Sequence, residues 1–418
     1  MTRIRSLVAF VRLGIVRATL GIAIGLVACL TPARAQERLL PTRSVTIGPV
    51  FERWSFGSGL RQPASDGSGS VELQTASAFS VPLGASIGLT EHWAFDLSTA
   101  YSTGSVQLRA PDPSLGRDTY ALSGLTDVHA RLSGRLAGDN VIATIGANLP
   151  TGTTSLDPEE YAALRVLAAP ALGMQSPALG TGLGATAGVV VARQIASWAW
   201  AFGASYELRR SYTPIAYATG APEPDVDPGD ALHMSVGADG LIGQSGMTLG
   251  LTADFFTEDN LQPTATVSGG ATPPPVTTHL GPIFTVDWQL RVAAPRLREL
   301  TVYAVDRYRT SYERGGVEVA ESSGNYLDAG VRAVYPLSPS TGVLSWLNLR
   351  HQTGLKSDST LATAAAAGAG LTLGLQKSFA AGYSLQPFVR ADYEKIKSVD
   401  ASTGATGFAA GITLGRRF

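Results

Sequence analysis

The residue types able to do chemistry are present but scattered. The five histidines, His92, His129, His233, His279 and His351, lie far apart, and no two have metal-ligand spacing. No G-x-S-x-G nucleophile elbow occurs. A Ser/His/acid set gathered from several strands needs no local motif, so catalysis stays open as a minor reading. Gly180-Thr181-Gly182-Leu183-Gly184-Ala185 spells G-x-G-x-x-A, yet Ala185 to Ala192 reads as a strand where a dinucleotide site needs a helix. Those glycines are read as lumen-facing or wall-bending positions. No cofactor or metal site is expected.

The charged residues form a clearer pattern. Asp127, His129, Arg131 and Arg135 fall on alternate positions, as do Glu207 and Arg209, Asp287 and Arg291, and Arg390, Asp392 and Glu394. Arg307 and Arg309 share a parity with Tyr303. Each set lies opposite a run of apolar side chains. On a lipid-facing surface a charge at mid-membrane costs about 2–4 kcal/mol, so these residues are expected to line an aqueous lumen. There, opposed acids and bases orient polar solutes or brace the wall through salt bridges.

Strands with strict alternation must position them. Met247, Leu249, Leu251, Ala253 and Phe255 share one side of a segment, and Thr248, Gly250, Thr252 and Asp254 the other. The same holds for Val141–Leu149, Phe284–Val292 and Phe408–Phe418. Many such segments exceed the usual five or so residues of a soluble strand and match the ~9–11 of a tilted membrane strand. Connections also sort by length. Short turns fall near Thr90–His92, Ala137–Asn140, Ile195–Ser197, Gln244–Gly246, Ala294–Arg298, Ser338–Thr341 and Ala380–Gly382. Long ones include Ser55–Gly69, Arg109–Tyr120, Thr151–Leu179, Pro214–Gly229, Asp259–Val276, Glu313–Ser323 and Ala401–Gly404. The expected fold is all-β, a transmembrane antiparallel up-and-down β-barrel of about 16 strands, with 12 to 14 as the alternative count.

Aromatic residues agree. Trp93, Trp198, Trp200, Phe379 and Tyr383 flank short turns; Tyr101, Tyr212, Phe255, Phe256, Tyr308 and Tyr393 lie toward long loops. Two such groups read as girdles at the membrane interfaces. Phe418 ends the last alternating segment and is the candidate signal for the barrel-assembly machinery.

Residues 1–35 read as a secretory signal: Arg3, Arg5 and Arg12, an apolar run from Leu13 to Leu30, and Ala33-Arg34-Ala35 as the cleavage site. Leu26-Val27-Ala28-Cys29 resembles a lipobox, leaving lipidation of Cys29 as an alternative. Cys29 is the single cysteine, so residues 36–418, read as one barrel domain, have no disulfide framework. With five arginines and no acids in residues 1–35, the remainder carries 27 basic and 33 acidic residues, a net charge near −6. That excludes nucleic acid as a natural partner; outer-membrane lipid and a small-molecule solute fit.

Within Thr151–Leu179, Asp157-Pro158-Glu159-Glu160 supplies an N-cap, a proline at the first helical position and early acids, predicting a short helix. It either folds into the mouth or caps the loop outside.

Ser123-Gly124-Leu125-Thr126-Asp127-Val128, continuing to Arg135-Leu136, and Ala147-Asn148-Leu149-Pro150-Thr151-Gly152 resemble paired strand motifs of the outer-membrane transporters of the phenol meta-degradation group. More distantly the chain is similar to the long-chain fatty-acid transporter superfamily. The resemblance implies a barrel passing hydrophobic or aromatic small molecules in the bacterial outer membrane. It covers Ser123–Gly152; elsewhere only the architecture is shared. Those fatty-acid transporters carry an N-terminal plug, whereas only Gln36 to about Thr42 precedes the first strand here, so an unplugged lumen is expected. The leading functional reading is a passive channel. The alternatives are a structural or surface-display barrel whose loops bind a partner, and a barrel hydrolase.

Overall fold

A computed structural model describes residues 43–63, 70–110, 117–137, 140–174, 179–214, 225–262, 275–354, 365–397 and 402–418. The expected leader, with Cys29 and the expected cleavage site, lies outside the described residues.

Nineteen hydrogen-bonded segments form the wall sheet. They make sixteen wall strands, because two strands are each broken in two and Arg61–Pro63 only prolongs the first hairpin. In chain order these are β1 (Ser44–Ile47 with Val50–Phe56), β2 (Ser70–Gly88), β3 (Trp93–Arg109), β4 (Arg117–Leu125 with Val128–Leu136), β5 (Val141–Leu149), β6 (Gly184–Ile195), β7 (Trp198–Arg209) and β8 (Ala231–Ile242). The second half comprises β9 (Ser245–Phe256), β10 (Ile283–Arg291), β11 (Glu299–Arg309), β12 (Gly324–Ser338), β13 (Thr341–Gly354), β14 (Ala365–Ser378), β15 (Tyr383–Lys397) and β16 (Ser402–Arg417). Neighbours in sequence pair antiparallel, and β16 returns to β1 in register (Val45↔Arg416, Phe51↔Ala410). No edge is left at the closure, so backbone groups are satisfied without water.

Side-chain parity separates two media. Leu371, Leu373 and Leu375 of β14 point outward and are exposed, while Thr372 between them is buried inward. Phe202, Tyr206 and Leu208 of β7 likewise point outward, opposite Gly203, Ser205 and Glu207. Leu373→Arg is therefore expected to destabilise the barrel by about 2–4 kcal/mol, whereas Thr372→Ala should cost less. Urea titration of folding into vesicles measures both; equal effects would invert the assignment of faces.

Several rings lie against glycines of the neighbouring strand. At the short-turn end Trp93 covers Gly134, and Trp198 covers Gly240; on the inner face Trp54 covers Gly407, and Phe388 covers Gly411. A Cβ at any of these glycines would run into the ring. Tyr101, Phe255, Tyr308 and Tyr393 are exposed on the outside toward the long loops. Two expected girdle members depart from this. Phe256 faces inward beneath the Arg209 guanidinium, 5.6 Å from its ring, because it has the opposite parity to Phe255. Tyr212 sits in the loop after β7, bridged to Val226.

β4 carries the one register change that positions the site. Tyr101 of β3 pairs with Leu125, but Ser98 pairs with His129. Thr99 and Ala100 thus face Thr126, Asp127 and Val128, a bulge with one extra residue. Even-numbered residues point inward before it (Leu122, Gly124), odd-numbered ones after it. Outside the wall sheet, five short strands of the long loops form a second sheet: Asp225–Asp227, Glu258–Gln262, Val276–His279, Glu313–Arg314 and Val317–Glu318. The last connection is shorter than expected, since β16 already begins at Ser402.

Candidate functional site

The connection between β5 and β6 turns into the barrel. It contains α1 (Pro158–Leu167) and a 3-10 turn (Pro170–Leu172). The helix starts where the sequence signals it. Asp157 accepts from the Glu160 backbone N–H at 2.8 Å, the Glu160 carboxylate accepts from the Asp157 N–H at 3.1 Å, and Pro158 occupies the first turn. Its buried side, Ala163, Val166 and Leu167, packs on the inner wall. Leu167 fills the space a Cβ at Gly104 would need, and Gly104 faces inward on β3.

The resulting apolar core is one-sided. Its wall members are Trp54 of β1, Leu73, Ala76 and Ala78 of β2, Val106 and Leu108 of β3, Leu122 of β4, Ala366 of β14, Ile396 of β15 and Ala405 of β16. No described residue of β5–β13 belongs to it. The loop is thus packed against half the circumference at the long-loop end. This overturns the expectation of an unplugged lumen. Among the described residues the filling comes from an internal loop.

Two polar anchors hold the loop. The first is Asp127, buried at the β4 bulge. Its carboxylate accepts from the backbone N–H groups of Gly152 (2.9 Å), Thr181 (2.7 Å) and Gly182 (3.1 Å), and from Asn148 Nδ2 (3.0 Å). Both roots of the loop are tied to one side chain. Gly152 and Gly180 are in contact there, with no room for a Cβ on either. Gly182 has φ +87°, a conformation only glycine adopts readily. Asp127 is thus a loop anchor, not an exposed lining group. Asp127→Ala strands three backbone donors, for a local cost of about 1–3 kcal/mol each at most. Limited proteolysis should then cut within residues 150–183, with the rest of the barrel staying protected.

The second anchor is a buried charge cluster at the far flank of the same arc. Arg350 of β13 reaches Asp392 Oδ1 at 3.1 Å and Glu394 Oε2 at 3.4 Å. It also approaches the Leu172 carbonyl at 3.4 Å and lies 5.5 Å over the Trp54 ring. The side chains of Arg350, Asp392 and Glu394 are 4%, 1% and 1% exposed. Arg390 bridges Glu52 (2.8 Å) and Asp392 (2.7 Å). Gly173, at φ +54°, sits where any Cβ would strike the Arg350 guanidinium. Two arginines and three carboxylates thus fasten the 3-10 turn to β13, β15 and β1.

The other expected lining residues are distributed along the wall. Arg131 pairs with Asp96 at 3.2 Å. His129 points inward beside Asn148 and is exposed. Arg135 is inward and half-buried, as is Asp287; Arg291 and Arg307 are inward and exposed. Glu207 meets His233 Nε2 at 3.3 Å, and Asp254 meets His233 Nδ1 at 2.8 Å. The Arg209 backbone N–H donates to Asp230 Oδ1 at 3.0 Å, just outside β8, and Tyr206 donates to Oδ2 at 2.7 Å. These bonds hold the Asp230 carboxyl below its ordinary range. Arg309 donates to the Ser322 carbonyl at 3.2 Å. The charges therefore fall into separate groups, with only Arg390, Asp392 and Glu394 in the cluster beneath the loop. Glu52, Asp96, His233, Asp254 and Arg350 complete these groups. None has a charged residue at the next alternate position of its own strand, so strand-by-strand reading did not group them, although inward parity marks every one.

Toward the short turns, below the Arg350 cluster, the lumen holds a recess of about 430 Å³ walled by β13–β16, β1 and β2. A larger groove of about 800 Å³ lies on the outside at the short-turn rim, around Phe418 and Arg416. Arg416 lies 4.1 Å over the Phe418 ring and 4.7 Å over Tyr383. This groove is on the lipid side and does not communicate with the loop.

No protein family matches the chain, and no curated protein matches it. Among solved structures, a Pseudomonas aeruginosa FadL homologue is similar at 10% identity and a TM-score of 0.39, covering 95% of this chain and 96% of that one. The TodX monoaromatic hydrocarbon channel deltaS2 mutant is similar at 9% identity and 0.43, covering 90% of each chain. An outer membrane channel from Pseudomonas putida F1 is similar at 13% and 0.33, covering 90% and 96%. Independently of these distant likenesses, sixteen strands closed in register, apolar outside and polar within, make the chain a transmembrane β-barrel of the bacterial outer-membrane kind.

Proposed function

We propose that the protein is a passive channel for small molecules across the bacterial outer membrane, narrowed at its external end by residues 150–183. The short turns face the periplasm in this reading, and the long loops face outward. The observation that carries it is the one-sided packing of the in-folded loop. The core recruits β14–β16 and β1–β4, while the inward residues of β6–β12 are mostly polar or small, as with Glu207, Thr248, Gln289 and Arg307. A barrel kept only for display gains nothing from a hydrated, charged arc beside a packed one. The lining of mixed sign favours small polar and amphipathic solutes over large ones. Phe418, at the seam of β16 and β1, is proposed as the contact for the barrel-assembly machinery.

Reconstitution into planar bilayers tests the channel. Discrete conductance steps are expected from purified, heat-modifiable protein. A folded barrel that inserts and never conducts would end this reading.

A further inference from the structure

The recess below the charge cluster has a definite chemistry. Val50, Pro82, Leu344, Trp346 and Phe388 supply apolar surface, and Thr372, Gln386 and Thr413 supply hydroxyl and amide groups. Phe388 lies against Gly411, and the Gly48 position is bordered by Pro82 and Thr413. Trp346 is fixed by its Nε1–H, which donates to the Tyr303 hydroxyl at 3.0 Å; that hydroxyl donates to Asp328 at 3.0 Å. The side wall is thus rigid. Its volume, about 430 Å³, is within the range of small-molecule sites.

One ionic side chain, Arg390, contributes to the lining. Its guanidinium is already engaged by Glu52 and Asp392. With Arg350 and Glu394 added, the ceiling holds two guanidinium groups and three carboxylates. An anionic guest would meet no uncompensated cation and would lose its water beneath a surplus of acid. A cationic guest would meet Arg390 first, with the acids behind it. Desolvating either ion costs several kcal/mol without a partner. Hydroxyl and amide groups beside aromatic and aliphatic walls suit a neutral guest.

We propose that this recess is a binding site for an uncharged amphipathic solute, with an apolar body on Trp346, Phe388 and Leu344 and a hydrogen-bonding head toward Thr372, Gln386 or Thr413. This rests on the channel reading for its role in transport, and stands on the recess alone for binding.

Gly84 gives the test its handle. It faces inward on β2, borders the recess, and a Cβ placed there meets no atom within 4 Å. Gly84→Leu should therefore fill the recess without disturbing the wall. Calorimetric titration of the detergent-solubilised barrel would compare 2-naphthalenemethanol, 2-naphthoate and 2-naphthalenemethylammonium. The alcohol is expected to bind saturably, about tenfold or more tighter than either ion, and to lose that binding in Gly84→Leu. Trp346→Phe should weaken it less. Equal affinity for the carboxylate, no saturable binding, or alcohol binding unchanged in Gly84→Leu would overturn the site. Bilayer recordings with the alcohol separate the two proposals. A barrel that conducts but binds no alcohol loses the site and keeps the channel; one that binds yet never conducts does the reverse.

Discussion

Excising residues 154–178 and joining Thr153 to Leu179 through a short glycine-serine turn should raise single-channel conductance several-fold while the barrel still folds. The wall does not depend on the loop for closure, since β5 pairs with β6 from Val141↔Val191 to Asn148↔Gly184. The roots already touch at Gly152 and Gly180, held by Asp127, so a short join needs no strain. What leaves is α1 and the 3-10 turn, the part buried against Trp54, Leu73, Val106 and Leu108. Their removal hydrates an apolar surface, which costs stability yet widens the passage. Conductance steps in planar bilayers read the width, and heat-modifiability on gels reads the fold. An excised barrel that folds and conducts like the parent would show that the loop does not limit flow.

Arg350→Ala should be the most damaging single substitution in the wall. It leaves Glu394 buried without its cation and removes half the compensation of Asp392, while also releasing the Leu172 carbonyl. Removing one partner of a buried pair costs about 3–5 kcal/mol. The guanidinium also covers the Trp54 ring, so packing is lost with charge. The expected signature is a lower urea midpoint in vesicles and frequent excursions to higher conductance as the 3-10 turn comes free. Glu394→Gln in the same chain should restore part of the stability, because the stranded charge is then gone, and leave the excursions in place. A double-mutant cycle with no coupling would remove Arg350 from its role as a fastening.

The wall was legible because its rules are local. Alternation alone assigned Glu207, Arg307, Arg390 and Glu394 to the lumen, and the two connection lengths sorted the two ends. The start of α1 was equally plain at Asp157-Pro158-Glu159-Glu160. Its destination was not. Leu167 lies against Gly104 on β3, and Leu172 meets Arg350 across a sequence separation of 178. Such contacts depend on how sixteen strands curve, which no window of sequence records. Glu52 and Arg350 were hidden for a related reason. Each stands beside another charged or titratable residue of opposite parity, Arg53 and His351, so the segment reads as a mixed edge until the inward side is known. The motif shared by Ser123–Val128 and Ala147–Gly152 also became intelligible only in three dimensions, where Asp127 of the first binds Gly152 of the second.

The extra residue at Thr126–Asp127 makes chain length, more than residue identity, the vulnerable property of β4. Losing one residue there would rotate everything from His129 to Arg135 by half a turn. Two arginines and a histidine would then meet hydrocarbon, and Ala130, Leu132 and Leu136 would meet water. Few contacts would disappear, yet inside and outside would trade places along that strand. Descendants of this sequence that keep Asp127 can therefore drift in the side chains from His129 to Arg135 more freely than they can gain or lose a codon at the bulge.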